Sequence, residues 1–128
     1  MIVADASVII AALSPSEPAH AWALALLRDA QRVVVHPITC AEVLVGPARR
    51  SADLAASLDA DLCDLAVDHG SVAVPPYELA LVRAESGLRM PDACVLATAE
   101  SLDLPLATLD QRLADASRAR GVEVLPTG

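Results

Sequence analysis

Residues 1–7 read MIVADAS, and residues 8–13, VIIAAL, continue without a charge. A short β-branched run ends on an acid at position 5, and a helix can begin at once, with Asp5 or Ser7 as its cap. Val8, Ile9, Ile10 and Leu13 are that helix's apolar content, and Ser14, Pro15 and Ser16 interrupt it. A buried strand turning directly into an apolar helix is the opening unit of a parallel α/β sheet.

The same unit recurs along the chain. Residues 32–36 (RVVVH), 71–74, 105–108 and 122–125 read as four further strands. Pro18 suits the first turn of a second helix, with Glu17 held out of the α region by the proline behind it. That helix carries Trp22, Leu24, Leu26 and Leu27 and is apolar almost all round. Residues 38–45 form a helix containing Glu42, which Gly46 and Pro47 end. Residues 51–69 are amphipathic, with Leu54, Leu58, Leu62 and Leu65 on one face and Gly70 as the stop. Residues 77–86 are another helix, Pro91 opens the one carrying Asp92, and residues 110–120 form the last. Strands alternating with helices predict an α/β fold: one parallel sheet of five strands with helices on both faces.

At 128 residues the chain is read as a single domain over residues 1–128. Hydrophobic residues make up 55% and the mean hydropathy is +0.48, yet no apolar run approaches the roughly 20 residues of a bilayer crossing. The N-terminus has no basic segment ahead of a long apolar one, so no signal peptide is expected and the compartment is read as the cytoplasm. Cys40, Cys63 and Cys94 are odd in number and widely spaced, which fits reduced, buried thiols better than a disulfide framework or a zinc site. All nine basic residues are arginine, which rules out the lysine of a phosphate-binding P-loop. A net charge of −8 argues against a broad basic face for nucleic acid. It leaves room for a nuclease, because bound divalent cations reverse the local sign at an acidic site, and it favours a basic protein partner.

Four carboxylates carry the chemistry: Asp5, Glu42, Asp92 and Asp110. Singly, Asp5 and Asp110 are good N-caps and Asp92 suits a helix's first turn. Glu42, flanked by Ile38, Cys40, Ala41, Val43, Leu44 and Val45, is expected on a helix buried on most sides, where an unpartnered glutamate is costly. In a parallel sheet every strand delivers the chain to one edge, where ligands bind. Two like charges about 4 Å apart repel by roughly 4 kcal/mol at an effective dielectric near 20. Such a cluster must take up protons or bind a cation, and a hard divalent metal site is the reading that follows. His20, His36 and His69 are read as structural or surface residues. Arg49, Arg50 and Arg89 are candidates to steer phosphates. Trp22 with Leu26, and the stripe from Leu54 to Leu65, are candidate interface surfaces, with core packing as their other use.

The segments VADAS around Asp5, ITCAEVLVG around Glu42, MPDACVLATAES around Asp92 and LPLATLD around Asp110, in that order, resemble the PIN domain family, in layout its toxin branch called VapC. The resemblance implies a three-layer α/β/α fold with strand order 3-2-1-4-5, setting the first strand beside the fourth. It implies a metal-dependent endoribonuclease whose catalytic and metal-holding quartet is Asp5, Glu42, Asp92 and Asp110, with Mg²⁺ or Mn²⁺ as cofactor. Ser7 and Thr108 match the family's small hydroxyl positions, where they would orient a carboxylate or water. A homodimer and a paired VapB-type antitoxin are implied as partners, RNA as substrate, and no membrane. The sequence departs from the family pattern at Gln111, Arg112 and Leu113, where an aromatic is common, and at Leu96, where many relatives carry a further acid.

Two other readings stay open. A PIN-like module could bind RNA or protein without cleaving it. A phosphoryl-transfer domain on a similar sheet ordinarily needs a lysine, which this chain lacks.

Overall fold

In the computed structural model residues 1–126 are described. Five strands, β1 (Ile2–Ala4), β2 (Val33–Val34), β3 (Val67–Asp68), β4 (Leu106–Ala107) and β5 (Val124–Leu125), make one sheet in the order β3-β2-β1-β4-β5. Each neighbouring pair is parallel, as the alternation of strands and helices predicts. Seven helices connect and cover them: α1 (Ala6–Leu13), α2 (His20–Asp29), α3 (Pro37–Arg50), α4 (Ala52–Asp64), α5 (Pro76–Ser86), α6 (Met90–Leu102) and α7 (Gln111–Ala119).

Alternate strand residues face opposite sides of a sheet, and here they divide the interior in two. Ile2, Ala4, Val33, Val35 and Ala107 pack with Val8 and Ile9 of α1, Leu27 of α2, Val43 of α3 and Leu62 of α4. Val3, Val34 and Leu106 pack on the other side with Val82 of α5, Leu96 of α6 and Leu113 of α7. The result is the three-layer α/β/α arrangement. Trp22 and Leu26 rest, half-buried, on the first of these cores, as do Leu44 and Leu65. No helix among the described residues is long and apolar enough to cross a membrane.

Several features differ from expectation, Pro18 among them: it lies outside α2, which Ala19 caps and His20 opens. The third strand is Val67–Asp68 and not residues 71–74. α4 ends at Asp64, and Ala66 takes a left-handed conformation (φ 61°) that turns the chain into the strand. A β-carbon disfavours that conformation, which glycine usually supplies; here an alanine takes it, so the sequence does not mark the turn. Asp68 then closes the strand: its Oδ1 accepts from the backbone N–H groups of Gly70 and Ser71, and Oδ2 accepts from the Ser71 hydroxyl and the Arg32 guanidinium. Ser71 first, and Arg32 next, hold the Asp68 carboxyl down at about 2. Secondly, α3 runs through Gly46 and Pro47 to Arg50. Thirdly, Cys63 is exposed, while Cys40 and Cys94 are buried thiols as expected. His20 bonds through Nδ1 to the Ala11 carbonyl (2.8 Å), and His36 caps α3 by accepting from Ile38 N–H, so both are structural.

Leu96, wholly buried in mid-α6, should cost about 2–5 kcal/mol of stability when changed to alanine, read by urea unfolding. Leu81→Ala, on the exposed side of α5, should change it by under about 0.5 kcal/mol. Equal losses would contradict the division of faces described here.

Candidate active site

Because all five strands run the same way, their carboxyl ends share one edge, and the order reverses between β1 and β4. Asp5 leaves β1 there, and Thr108 directly follows β4. Asp5 is 5% exposed and caps α1, its Oδ1 accepting from Val8 N–H (3.2 Å) and from the Ser7 hydroxyl (2.6 Å). Its Oδ2 accepts a short hydrogen bond from the Thr108 hydroxyl across the β1–β4 junction. The two hydroxyls accept in turn: Ser7 Oγ from Leu109 N–H (3.1 Å), Thr108 Oγ1 from Asp110 N–H (3.0 Å). Ser7 and Thr108 therefore bind the strand-end backbone as well as orienting a carboxylate.

Asp110 caps α7, with Oδ1 accepting from the N–H groups of Arg112 (2.9 Å) and Leu113 (3.2 Å). Asp92 sits half-buried in the first turn of α6, whose next seven residues are all buried. Glu42 reaches the same edge from α3, which packs against α6. One expectation fails at this position: Glu42 is exposed, not enclosed. Thr39, Cys40 and Val43 face the core, whereas Ile38, Glu42 and Val45 fall at i, i+4 and i+7 on the outward stripe, with Ile38 46% and Val45 45% exposed. Apolar neighbours in sequence were neighbours around a helix, and half of them point away.

Electrostatics ties the four acids together. Burial pushes the Asp5 carboxyl above the usual range and the Asp110 charge adds to it, against the lowering by its hydrogen bonds. Loss of water raises Asp92, with Asp110 and Asp5 adding, while Arg89 and Arg112 oppose. The Glu42 carboxyl, partly withdrawn from water on its inner side, is raised by that withdrawal and then by Asp92 and Asp5. Arg89 is thus near the acids as expected. Arg49 and Arg50 lie exposed in the last turn of α3 and do not act on them. Arg112 was missed: it lies two residues beyond the Asp110 cap and also donates to the Gly87 carbonyl (3.1 Å). Its only sequence signal was that position.

The donor set fits a hard cation. Glu42, Asp92 and Asp110 Oδ2 accept no hydrogen bond among the described residues, so these oxygens carry their charge without a donor to offset it. No three of the quartet's oxygens lie within 4.8 Å of one another. An ion at this edge would therefore be held directly by at most two of these carboxylates, with water in its remaining positions, as Mg²⁺ permits.

A carboxyl raised in the folded state favours folding below the ordinary carboxylate range, and that advantage is lost as pH rises through the raised value. At neutral pH the loss of water around the charged Asp5, Glu42 and Asp92 carboxylates, with repulsion among the four acids added to it, therefore destabilises the metal-free protein. Added Mn²⁺ or Mg²⁺ should raise the melting temperature at pH 7 and have little effect near pH 4. Asp92→Asn should melt higher than wild type without metal and respond less to it; an unchanged metal response would count against a cation at this edge.

The PIN domain family model matches residues 2–119. No curated protein matches the chain in sequence. Among solved structures, FitAcB from Neisseria gonorrhoeae superposes with a TM-score of 0.72 at 24% identity, covering 99% of this chain and 98% of that one. PAE2754 from Pyrobaculum aerophilum gives 0.62 at 24% identity, covering 96% and 87%. VapBC2 from Rickettsia felis, bound to a DNA fragment from their promoter, gives 0.68 at 15% identity, covering 98% of each. With the matching segments, the strand order and the family model over nearly its whole length, this chain belongs to the PIN domain family.

Proposed function

We propose that the protein is a Mg²⁺- or Mn²⁺-dependent endoribonuclease, and that it is the toxin of a VapBC-type toxin–antitoxin pair acting in the cytoplasm. What supports the reading is that Asp5, Glu42, Asp92 and Asp110, from four separate segments of a PIN domain, lie near enough at the sheet edge for their charges to act on one another. When bound, the ion supplies a water of lowered pKa and neutralises charge on the phosphate undergoing attack. Asp5 is the fixed member: two hydroxyls and one backbone N–H hold its carboxylate in a single orientation. Asp92, Asp110 and Glu42 offer oxygens that no donor among the described residues occupies. Arg89 and Arg112, the cations acting on Asp92, are positioned to bind phosphate oxygens of the RNA. No histidine serves as base in this scheme.

The partners proposed are RNA, a VapB-type antitoxin and a second copy of the chain. The net charge of −8 suits an antitoxin segment rich in basic residues. Exposed Ile38 and Val45 beside Glu42, and exposed Met90 just before Asp92, offer apolar ground around the acids for such a segment to cover. In the Rickettsia felis structure the VapBC2 pair is bound to promoter DNA.

Incubation of metal-stripped protein with mixed RNA should give no cleavage until Mn²⁺ or Mg²⁺ is added. Asp5→Asn and Asp92→Asn should each lower the rate by at least about 100-fold, the lower end of the roughly 100- to 1000-fold lost with one group that stabilises charge in the transition state. Cleavage that survives both substitutions would remove the acidic quartet from the mechanism. A subtler expectation concerns Thr108→Val, which deletes a donor to the Asp5 carboxylate and so raises its pKa further. Activity should then begin only at higher pH than in wild type, and a rate loss with an unmoved pH profile would assign Thr108 to folding alone.

A further inference from the structure

Outside the acidic edge, three ligand-type side chains from separate elements converge: Cys40 of α3, Asp59 of α4 and His69 just after β3. We propose that Cys40 Sγ, Asp59 Oδ1 and His69 Nε2 form a second, softer metal site, suited to Zn²⁺, that ties α3 and α4 to the sheet edge at β3.

The argument is geometric. Asp59 Oδ1 lies 3.7 Å from Cys40 Sγ and 3.3 Å from His69 Nε2, and the three atoms all fall within 4.8 Å of one another. Zinc bonds of about 2.3 Å to sulfur, 2.0–2.1 Å to nitrogen and 2.0–2.2 Å to oxygen, set at tetrahedral angles, put the S···O edge near ~3.6 Å and the N···O edge near ~3.4 Å. The side chains already hold those separations. A thiolate and an imidazole select a borderline-soft transition metal over Mg²⁺. Cys63 stands one turn beyond Asp59 on the same face of α4, which leaves a thiol as well as water at hand for the fourth position. The half-exposed Asp59 and His69 give an ion a path in, while Cys40 is 4% exposed.

A nucleophilic role does not fit. Activation of a thiol requires the imidazole beside it, and here Cys40 and His69 each bond to the carboxylate instead. The spacing of the cysteines in sequence gave no sign of zinc, because the three ligands come together only where the α3–α4 hairpin meets the end of β3. The Cys40 end of the site is two residues from Glu42, so an ion there would also hold the helix that carries Glu42.

Chelator-stripped full-length protein titrated with Co²⁺ at pH 7 should bind one equivalent with a thiolate-to-cobalt charge-transfer band. Zn²⁺ should displace the cobalt, and excess Mg²⁺ should not. Cys40→Ser should abolish the band. His69→Ala, a change at a half-exposed residue whose folding circular dichroism can check, should weaken Zn²⁺ binding by more than the roughly 10–100-fold that loss of an outer-shell partner causes. Asp92→Asn should leave the band intact, which separates this site from the acidic quartet. Absence of a thiolate band at saturating Co²⁺ would overturn the proposal. So would a band unaffected by His69→Ala, or one that survives Cys40→Ser and disappears in Cys63→Ser.

Discussion

The carboxylate of Asp5 is the constraint around which the sheet's working edge is arranged. It is buried at the point where β1 and β4 lie side by side, and a buried charge is tolerable only with donors around it. Ser7 comes from its own helix, Thr108 from the end of β4, and the backbone N–H of Val8 from the first turn of α1. Each hydroxyl also accepts from backbone on the β4 side, at Leu109 and Asp110. One side chain thus caps a helix, joins residues more than a hundred positions apart and presents a charge to the edge. The capping and site roles weighed for Asp5 coexist because an N-cap at the carboxyl end of a strand is, in this topology, already at the ligand edge.

Around that anchor the charge is left unbalanced. Asp110 and Asp5 act on Asp92, and among the described residues Arg89 and Arg112 oppose them there. Protein stability would be served better by fewer acids there, so the arrangement has the character of a site kept at the expense of the fold. The acidic surface elsewhere and the apolar residues flanking Glu42 and Asp92 make the same edge suited to a covering protein segment as well as to a cation.

The fold was readable because its main signal is local. Apolar runs of strand length alternate with apolar helices, and Asp5, Pro91 and Asp110 stand where helices begin, at or within a residue of the observed starts. Where local signals were weak, the reading slipped. β3 is two residues long and preceded by a left-handed alanine, so residues 71–74 looked more like a strand than Val67–Asp68 did. Gly46 and Pro47 looked like a helix end, yet α3 passes through them and packs against both α4 and α6. Glu42 is exposed because helical periodicity turns it to the outward stripe, a matter of the helix's rotation against the core that its neighbours in sequence do not specify.

Linear order alone thus carried the α/β class, the turn positions of three of the acids and, through the PIN-like segments, the strand order. Those properties depend on residues close together along the chain, where backbone sterics, caps and apolar period act directly. Which side chains meet was left to packing: the Thr108 hydrogen bond to Asp5, the approach of Arg112 to Asp92, and the gathering of Cys40, Asp59 and His69. These contacts arise from how helices rotate and lean once both faces of the sheet are covered, and that is settled by burial of the whole core rather than by any one segment.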